Sequence, residues 1–213
     1  MSRFTGFPLA GLDFYEDLEA DNSKSFWSAH KDVYDTAVRA PMAALVADLE
    51  ADFGTAKVFR PYRDVRFAKD KVPYKNHQGA FVATGPSVGW YVQIGAPGLF
   101  VAGGIYATTP AQLARLRTTI DDDVRGPELE KILAKAVKAG YSVGGEQLKT
   151  RPKGYDADHP RIDLLRRKAI TVGKEFGAPD WLESARAGTE VRKSWQAMRP
   201  LVEWLTAVAG MHD

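Results

Sequence analysis

Val88-Gly89-Trp90-Tyr91-Val92-Gln93-Ile94-Gly95-Ala96-Pro97-Gly98-Leu99-Phe100-Val101-Ala102-Gly103-Gly104-Ile105-Tyr106 decides the fold class. Val88, Trp90, Val92 and Ile94 alternate with period two, which places them on one face of a strand. Gly95-Ala96-Pro97-Gly98 is turn chemistry, and Leu99 to Tyr106 returns as a second strand. Upstream, residues 79–84 read as a further strand. Short links of this kind join antiparallel neighbours. Gly85-Pro86-Ser87-Val88-Gly89 matches a G-x-S-x-G pattern. A nucleophile elbow, however, needs a helix after the serine. Here a strand follows, so this stretch is a hairpin loop.

Outward from the strands the period changes. Leu9, Leu12, Tyr15 and Leu18 fall at helical spacing, with Pro8 suited to a first turn. Asp21-Asn22-Ser23 offers a stop and a fresh N-cap. Phe26, Trp27, His30, Val33, Tyr34, Ala37 and Val38 then form a helical stripe. Met42, Leu45, Val46, Leu49 and Phe53 extend it past Pro41, where a kink or restart is expected. On the far side, Thr109-Pro110 marks a capped helix start. Gly126-Pro127 begins another helix, which ends near Gly140. A short helix is predicted from Pro160 to Lys168, and a strand from Ala169 to Val172. From Pro179 onward the pattern is helical, broken near Gly188 and Pro200, with Trp181, Trp195 and Trp204 on the core stripe. Helices at both ends and consecutive strands between them predict one α+β domain over 1–213. Its single antiparallel sheet of about four to six strands is packed by the N-terminal and C-terminal helices.

The chain has 213 residues, no cysteine and a net charge of +2. Disulfides and thiolate metal sites are therefore excluded. No apolar run is long enough to span a bilayer, and the N-terminus lacks the apolar region of a signal peptide. These features predict a soluble, cytoplasmic protein with no membrane partner. The four histidines, His30, His77, His159 and His212, lack the spacing of a zinc site, and no P-loop or dinucleotide motif is present. Asp121-Asp122-Asp123 reads better as a solvated helix end than as a cation site. No metal or cofactor is expected, and the sequence names no oligomeric state.

Charge is unevenly distributed. Residues 57–77 hold seven Lys/Arg against Asp64 and Asp70, and residues 149–168 hold seven against Asp156, Asp158 and Asp163. These balances of +5 and +4 leave −7 for the remainder, so two cationic segments sit in an otherwise acidic chain. The first contains Arg60-Pro61-Tyr62-Arg63-Asp64-Val65-Arg66-Phe67-Ala68-Lys69-Asp70-Lys71-Val72-Pro73-Tyr74-Lys75. Read as a strand entering a turn, it puts Phe59, Val65 and Phe67 on one face. Arg60, Tyr62, Asp64 and Arg66 take the other, where Asp64 can orient the guanidinium groups. Arginine suits such a site because its planar fork grips carboxylate or phosphate with two bonds. Arg63 falls on the apolar face and needs a partner there, or a bulge. The turn can fold Lys71, Lys75 and His77 over the polar face.

The second segment, Leu148-Lys149-Thr150-Arg151-Pro152-Lys153-Gly154-Tyr155-Asp156-Ala157-Asp158-His159-Pro160, carries three cations into a helix start. Asp158 and His159 stand where an N-cap belongs. Trp27, His30, Lys31 and Tyr34 form a further cluster, in which Trp27 and Tyr34 read as core and Lys31 as its rim.

Taken together, these residues resemble the conserved family known as domain of unknown function twenty-four sixty-one. The match rests on the aromatic helix with Lys31, Tyr34 and Pro41, on R-P-Y-R-D-V-R-F-A-K-D-K-V-P-Y-K, and on Gly103-Gly104-Ile105-Tyr106. It rests also on L-K-T-R-P-K-G-Y-D-A-D-H-P and Leu164-Leu165-Arg166-Arg167-Lys168. Phe26 before Trp27 departs from the family's usual order of Trp then Phe. The resemblance implies a free-standing soluble protein and implies no activity.

The functional expectation is a cationic site for a phosphate- or carboxylate-bearing small molecule. Arg60, Tyr62, Arg63, Asp64, Arg66, Lys71, Lys75, Lys149, Arg151 and Lys153 would form it. If the site is that of an enzyme acting on a phosphorylated compound, His77, His159 or Asp70 would carry the proton. Two alternatives use the same residues. Tyr62 and Tyr74 stack bases of a nucleic acid in one; in the other the charges only build internal ion pairs in a scaffold or interaction protein.

Overall fold

The structure is a computed structural model that describes residues 3–66 and 71–210. Phe67, Lys69, Asp70 and His212 lie outside the described residues, and with them the candidate proton carrier Asp70.

Helix α1 (Ala10–Ala20) stops before Asp21, and Ser23 opens α2 (Lys24–Ala29) by accepting the Phe26 backbone N–H at 3.1 Å. After the short α3 (Lys31–Val33) the backbone widens into a π-helix, Tyr34–Arg39, before α4 (Ala40–Phe53). This is the restart expected at Pro41. Proline cannot donate to the α ladder and crowds the carbonyl four residues back, that of Ala37, and the wider turn directly precedes it. Gly11 of α1 lies against that same carbonyl, so close that a Cβ there would stand 2.8 Å from the Ala37 oxygen. Gly54, at φ 95°, ends α4.

Strands β1 (Ala56–Val58), β2 (His77–Gly85), β3 (Val88–Gly95) and β4 (Gly98–Ile105) follow. The turn between β2 and β3 has Ser87 at φ 62°, so G-x-S-x-G is a hairpin as expected. Helix α5 (Pro110–Asp121) starts with a reciprocal capping box between Thr109 and Gln112. Helix α6 (Arg125–Lys138), strand β5 (Ser142–Gly144), helix α7 (Ile162–Leu165), strand β6 (Ile170–Gly177) and helix α8 (Arg186–Ala209) complete the chain. The six strands form one sheet in the order β1-β2-β3-β4-β6-β5. Val58 pairs with Ala80 and Ser142 with Gly173, both antiparallel. This is an α+β protein, one antiparallel sheet flanked by N-terminal and C-terminal helices.

The chain divides into two compact units. One comprises residues 1–82, 91–101 and 175–193, the other residues 83–90, 102–174 and 194–213. The first buries Phe7, Tyr15, Leu18, Met42, Leu45 and Ile94; the second buries Leu116, Ile120, Leu129, Val172 and Trp195. Among the described residues no helix is long and apolar enough to cross a membrane.

Three expectations need correction. The strand predicted over 59–67 does not form over its described residues, 59–66: β1 ends at Val58. Beyond it the chain touches residues 73–75 through one bridge, Tyr62 with Tyr74. Arg63 N donates to the Pro73 carbonyl (2.9 Å), and Lys75 N to that of Pro61 (2.8 Å). Prolines on both sides of that contact cannot donate, so a ladder cannot propagate. The burial alternation survives without the ladder: Pro61, Arg63 and Val65 are half-buried, whereas Tyr62, Asp64 and Arg66 are exposed. Second, α8 runs unbroken through Gly188 and Pro200. Gly188 is there for close packing, since a Cβ would meet the Phe4 ring at 3.0 Å. Pro200 is exposed, and Trp195, Met198, Leu201, Val202 and Leu205 around it are fully buried. That burial holds the helix through the missing bond. Third, Trp181 sits half-buried in a turn ahead of α8 rather than on its core stripe.

Candidate anion-binding site

Within the first unit, Trp27, Lys31, Tyr34, Asp35, Arg39, Val58, Phe59, Arg60, Pro61 and Tyr62 line a cavity of about 400 Å³. Its aromatic wall is built from two places in the sequence. Trp27, 4% exposed, stacks on Tyr74 with ring centroids 4.2 Å apart and planes 6° off parallel. Tyr34 lies 4.7 Å from Trp27, and Tyr62 lies 5.4 Å from Tyr74. Tyr62 is 48% exposed, an unusual surface for a large ring. Among the described residues the buried Trp27 indole N–H has no hydrogen-bond partner.

Gln78 of β2 fixes this wall. It is 1% exposed and accepts the Tyr34 hydroxyl at 2.6 Å. Its amide donates to the carbonyls of Phe59 (2.7 Å) and Gly79 (2.9 Å). The helix side of the cavity is thereby tied to the strand side. Burial pushes the Tyr34 phenol up to about 12, so it remains a hydroxyl donor across the neutral range.

The charges come from four-residue spacing on the α3–π–α4 segment. Lys31 hydrogen-bonds Asp35, and Arg39 stands 3.7 Å from the same carboxylate. The Lys31 hydrogen bond, helped by both cationic charges, holds the Asp35 carboxyl below its ordinary value. Arg60 is exposed and lines the same cavity, and its guanidinium has no ion-pair or hydrogen-bond partner among the described residues. Lys31, Arg39 and Arg60 line the cavity with Asp35 as the one carboxylate among the described lining residues, a net +2.

Of the residues expected in the anion site, Arg60 and Tyr62 line the cavity. Asp64 does orient an arginine: Arg66 grips it with two bonds, at 2.9 and 2.6 Å, both side chains solvent-exposed. That fork is occupied. Lys71 donates to the Val65 carbonyl (3.0 Å) and Lys75 to that of Arg60 (2.9 Å), with the Lys75 ammonium 5.3 Å from the Phe59 ring centre. The two lysines lace the loop together. Half-buried Arg63 is engaged within the protein, as its position requires.

Half-buried His77 has Nδ1 3.0 Å from Asn76 Oδ1. Burial, then the Lys75 charge, lowers its pKa from 6.5. The unfolded chain therefore binds the proton more readily. Stability is complete above about 6.5 and falls as pH drops toward the lower folded value. Urea midpoints measured between pH 7.5 and 5 are expected to decline on the acid side, and His77→Gln to flatten that decline. An identical slope in the variant would contradict the assignment.

Lys149, Arg151, Lys153 and His159 belong to the second unit. The three cations are exposed, and Arg151 donates to the Tyr155 carbonyl. His159 has both ring nitrogens committed, Nε2 to Asp121 (2.9 Å) and Nδ1 to the Arg161 backbone N–H (3.0 Å). The Asp121–Asp123 run is engaged as a helix junction. Asp122 accepts the N–H groups of Val124 and Arg125, and buried Arg161 donates to the Ile120 and Asp121 carbonyls and approaches Asp123.

Asp35, Arg39 and Gln78 were not among the expected site residues. The spacing Lys31, Asp35, Arg39 was the available signal. Gln78 had none, because a polar residue on a strand reads as solvent-facing until its three partners are known.

The fold and cavity define an α+β protein with a cationic, aromatic-walled pocket. The chain belongs to the family of conserved hypothetical proteins DUF2461, whose model matches residues 10–204. A comparison with curated proteins gives no match.

Proposed function

We propose that the protein binds a small phosphate- or carboxylate-bearing molecule in the cavity between the π-helix segment and the Val58–Tyr62 loop. The observation that carries this reading is the composition of that one cavity: three cations, one carboxylate and an aromatic wall in about 400 Å³. Arg60, with its fork uncommitted, is the principal anion ligand, and Lys31 and Arg39 add positive field in the same cavity. Tyr62 and Trp27 favour a ligand with a planar ring beside the anionic group. Among the described lining groups, Tyr34 titrates far above neutrality and Asp35 below it. Neither changes charge near pH 7, so the cavity supports binding more directly than proton transfer.

Isothermal titration at fixed ionic strength with aryl phosphates and aryl carboxylates tests this. Saturable binding is expected, weakened roughly tenfold or more by Arg60→Met, the loss of one charge-assisted contact. Equal affinity in wild type and variant, or no saturable binding, would count against it. A second reading draws on Tyr62, 48% exposed beside the Trp27–Tyr74 stack: a base of single-stranded nucleic acid could stack there. Tighter, steeply salt-dependent binding of an oligonucleotide than of any mononucleotide would favour that alternative.

A further inference from the structure

The corner between α1 and α2, Asp21-Asn22-Ser23, does more than end one helix and begin the next. Asp21 closes α1 with its N–H on the Asp17 carbonyl (2.9 Å), and Ser23 opens α2. Asn22 stands between them with its amide on a distant stretch of backbone. Its Oδ1 accepts the Tyr74 N–H at 3.1 Å, and its Nδ2 donates to the Tyr74 carbonyl at 3.2 Å. A carboxamide carries acceptor and donor on one planar group, as a peptide does. Backbone groups of neighbouring residues in an extended chain point to opposite sides. Pro73 and Lys75 turn theirs to Arg63 and Pro61 (2.9 and 2.8 Å), while Tyr74 turns its own pair to Asn22. Asn22 thus takes the place of a neighbouring strand, one residue long. A second tie lies beside it, from Asn76 Nδ2 to Glu19 Oε1 (3.1 Å).

These bonds hold the aromatic wall of the cavity. Tyr74 is 5% exposed, lies outside the six strands and packs its ring parallel to Trp27. Trp27 sits on α2, the helix that Asn22 directly precedes at the corner. One corner of the chain therefore pins the Tyr74 backbone and also stacks on its ring. Tyr62, joined to Tyr74 by an isolated bridge, keeps its ring 5.4 Å from it. Asn22 is not among the described lining residues. Arg60 has other anchors: Lys75 on its carbonyl, and the bonds of Gln78 and Gly79 to Phe59. Loss of the Asn22 amide would release the wall and leave the cation in place.

We propose that Asn22 is a positioning residue that sets the selectivity of the cavity. By holding Tyr74 against Trp27, it makes an anion that carries a planar ring bind better than an alkyl anion of equal charge. The inference rests on the anion-binding reading above and adds the residue that decides which anions are preferred.

Phenyl phosphate and methyl phosphate, titrated calorimetrically at equal pH and ionic strength, separate ring from charge. Wild type is expected to prefer phenyl phosphate roughly tenfold, the worth of one aromatic stack. Asn22→Leu should lose most of that preference and keep its methyl phosphate affinity within about twofold. The Tyr74 ring protons give a readout without ligand, since a parallel indole 4.2 Å away shields them. In Asn22→Leu they should move downfield. Asn22→Asp, nearly isosteric, serves if that variant fails to fold. Its ionised carboxylate accepts the Tyr74 N–H but has no hydrogen for the carbonyl. Its Tyr74 signals should therefore be displaced at neutral pH and return as pH falls through about 4, where the acid regains a donor. Unmoved Tyr74 signals, an unchanged preference, equal loss for both phosphates or a pH-independent Asn22→Asp spectrum would overturn the inference. Wild-type binding would in each case leave the anion-binding reading standing. Failure of wild type to bind either phosphate would overturn that reading and this inference together.

Discussion

Trp27→Ala is expected to destabilise the protein by roughly 3–5 kcal/mol, the usual range for truncating a buried large aromatic ring. Trp27 is 4% exposed and touches three other rings besides its parallel stack on Tyr74 at 4.2 Å. Phe14 meets it edge-on at 5.7 Å and 73°, and Tyr34 and Tyr62 lie 4.7 and 6.1 Å away. Truncation removes both the burial and these ring contacts, and it opens a void continuous with the cavity above. Urea denaturation with an unchanged slope would measure the loss. A loss below about 1 kcal/mol would mean that the indole is not the packed floor described here. Trp27→Phe keeps part of the stack and should fall between wild type and alanine.

Gln78→Leu is expected to cost about 2–4 kcal/mol although it preserves size and adds apolar surface. The Tyr34 hydroxyl loses its acceptor, and the Phe59 carbonyl loses its side-chain donor. A buried polar group left unpaired costs about 1–3 kcal/mol. The Gly79 carbonyl keeps the Phe59 backbone N–H at 2.9 Å and contributes less. A double-mutant cycle separates this account from simple overpacking. Adding Tyr34→Phe removes one orphaned group, so the pair should be less destabilised than the sum of the single changes. Additive losses would show that the Tyr34–Gln78 bond is not what holds the two sides of the cavity.

Legibility in the sequence followed the range of the interactions. The Ser23 and Thr109 caps and the Ser87 hairpin depend on neighbours within four residues, and each was readable. Residues 59–66 alternate in burial as a strand does, yet no ladder forms there. The burial alternation is real, but Pro61 and Pro73 deny it the hydrogen bonds. Pro200 misled in the opposite direction: its local cost is outweighed by buried side chains that only tertiary packing reveals. The site was half legible. Arg60 and Tyr62 announce themselves in a dense charge run. Asp35 and Arg39 sit on a π-helix that directly precedes Pro41 and packs against Gly11 at the Ala37 carbonyl. Their meeting with Arg60 belongs to the fold, as does the engagement of Lys71 and Lys75 in lacing the loop.

The central claim is that an anionic ligand enters the cavity walled by Trp27 and rimmed by Arg60. Its most direct test follows the Trp27 indole N–H resonance during a titration with an aryl phosphate at constant ionic strength. That N–H is buried and has no hydrogen-bond partner among the described residues. The account predicts a saturable shift of this signal that Arg60→Met weakens about tenfold. A Trp27 signal that stays in place while other residues respond would put the ligand elsewhere and contradict the account.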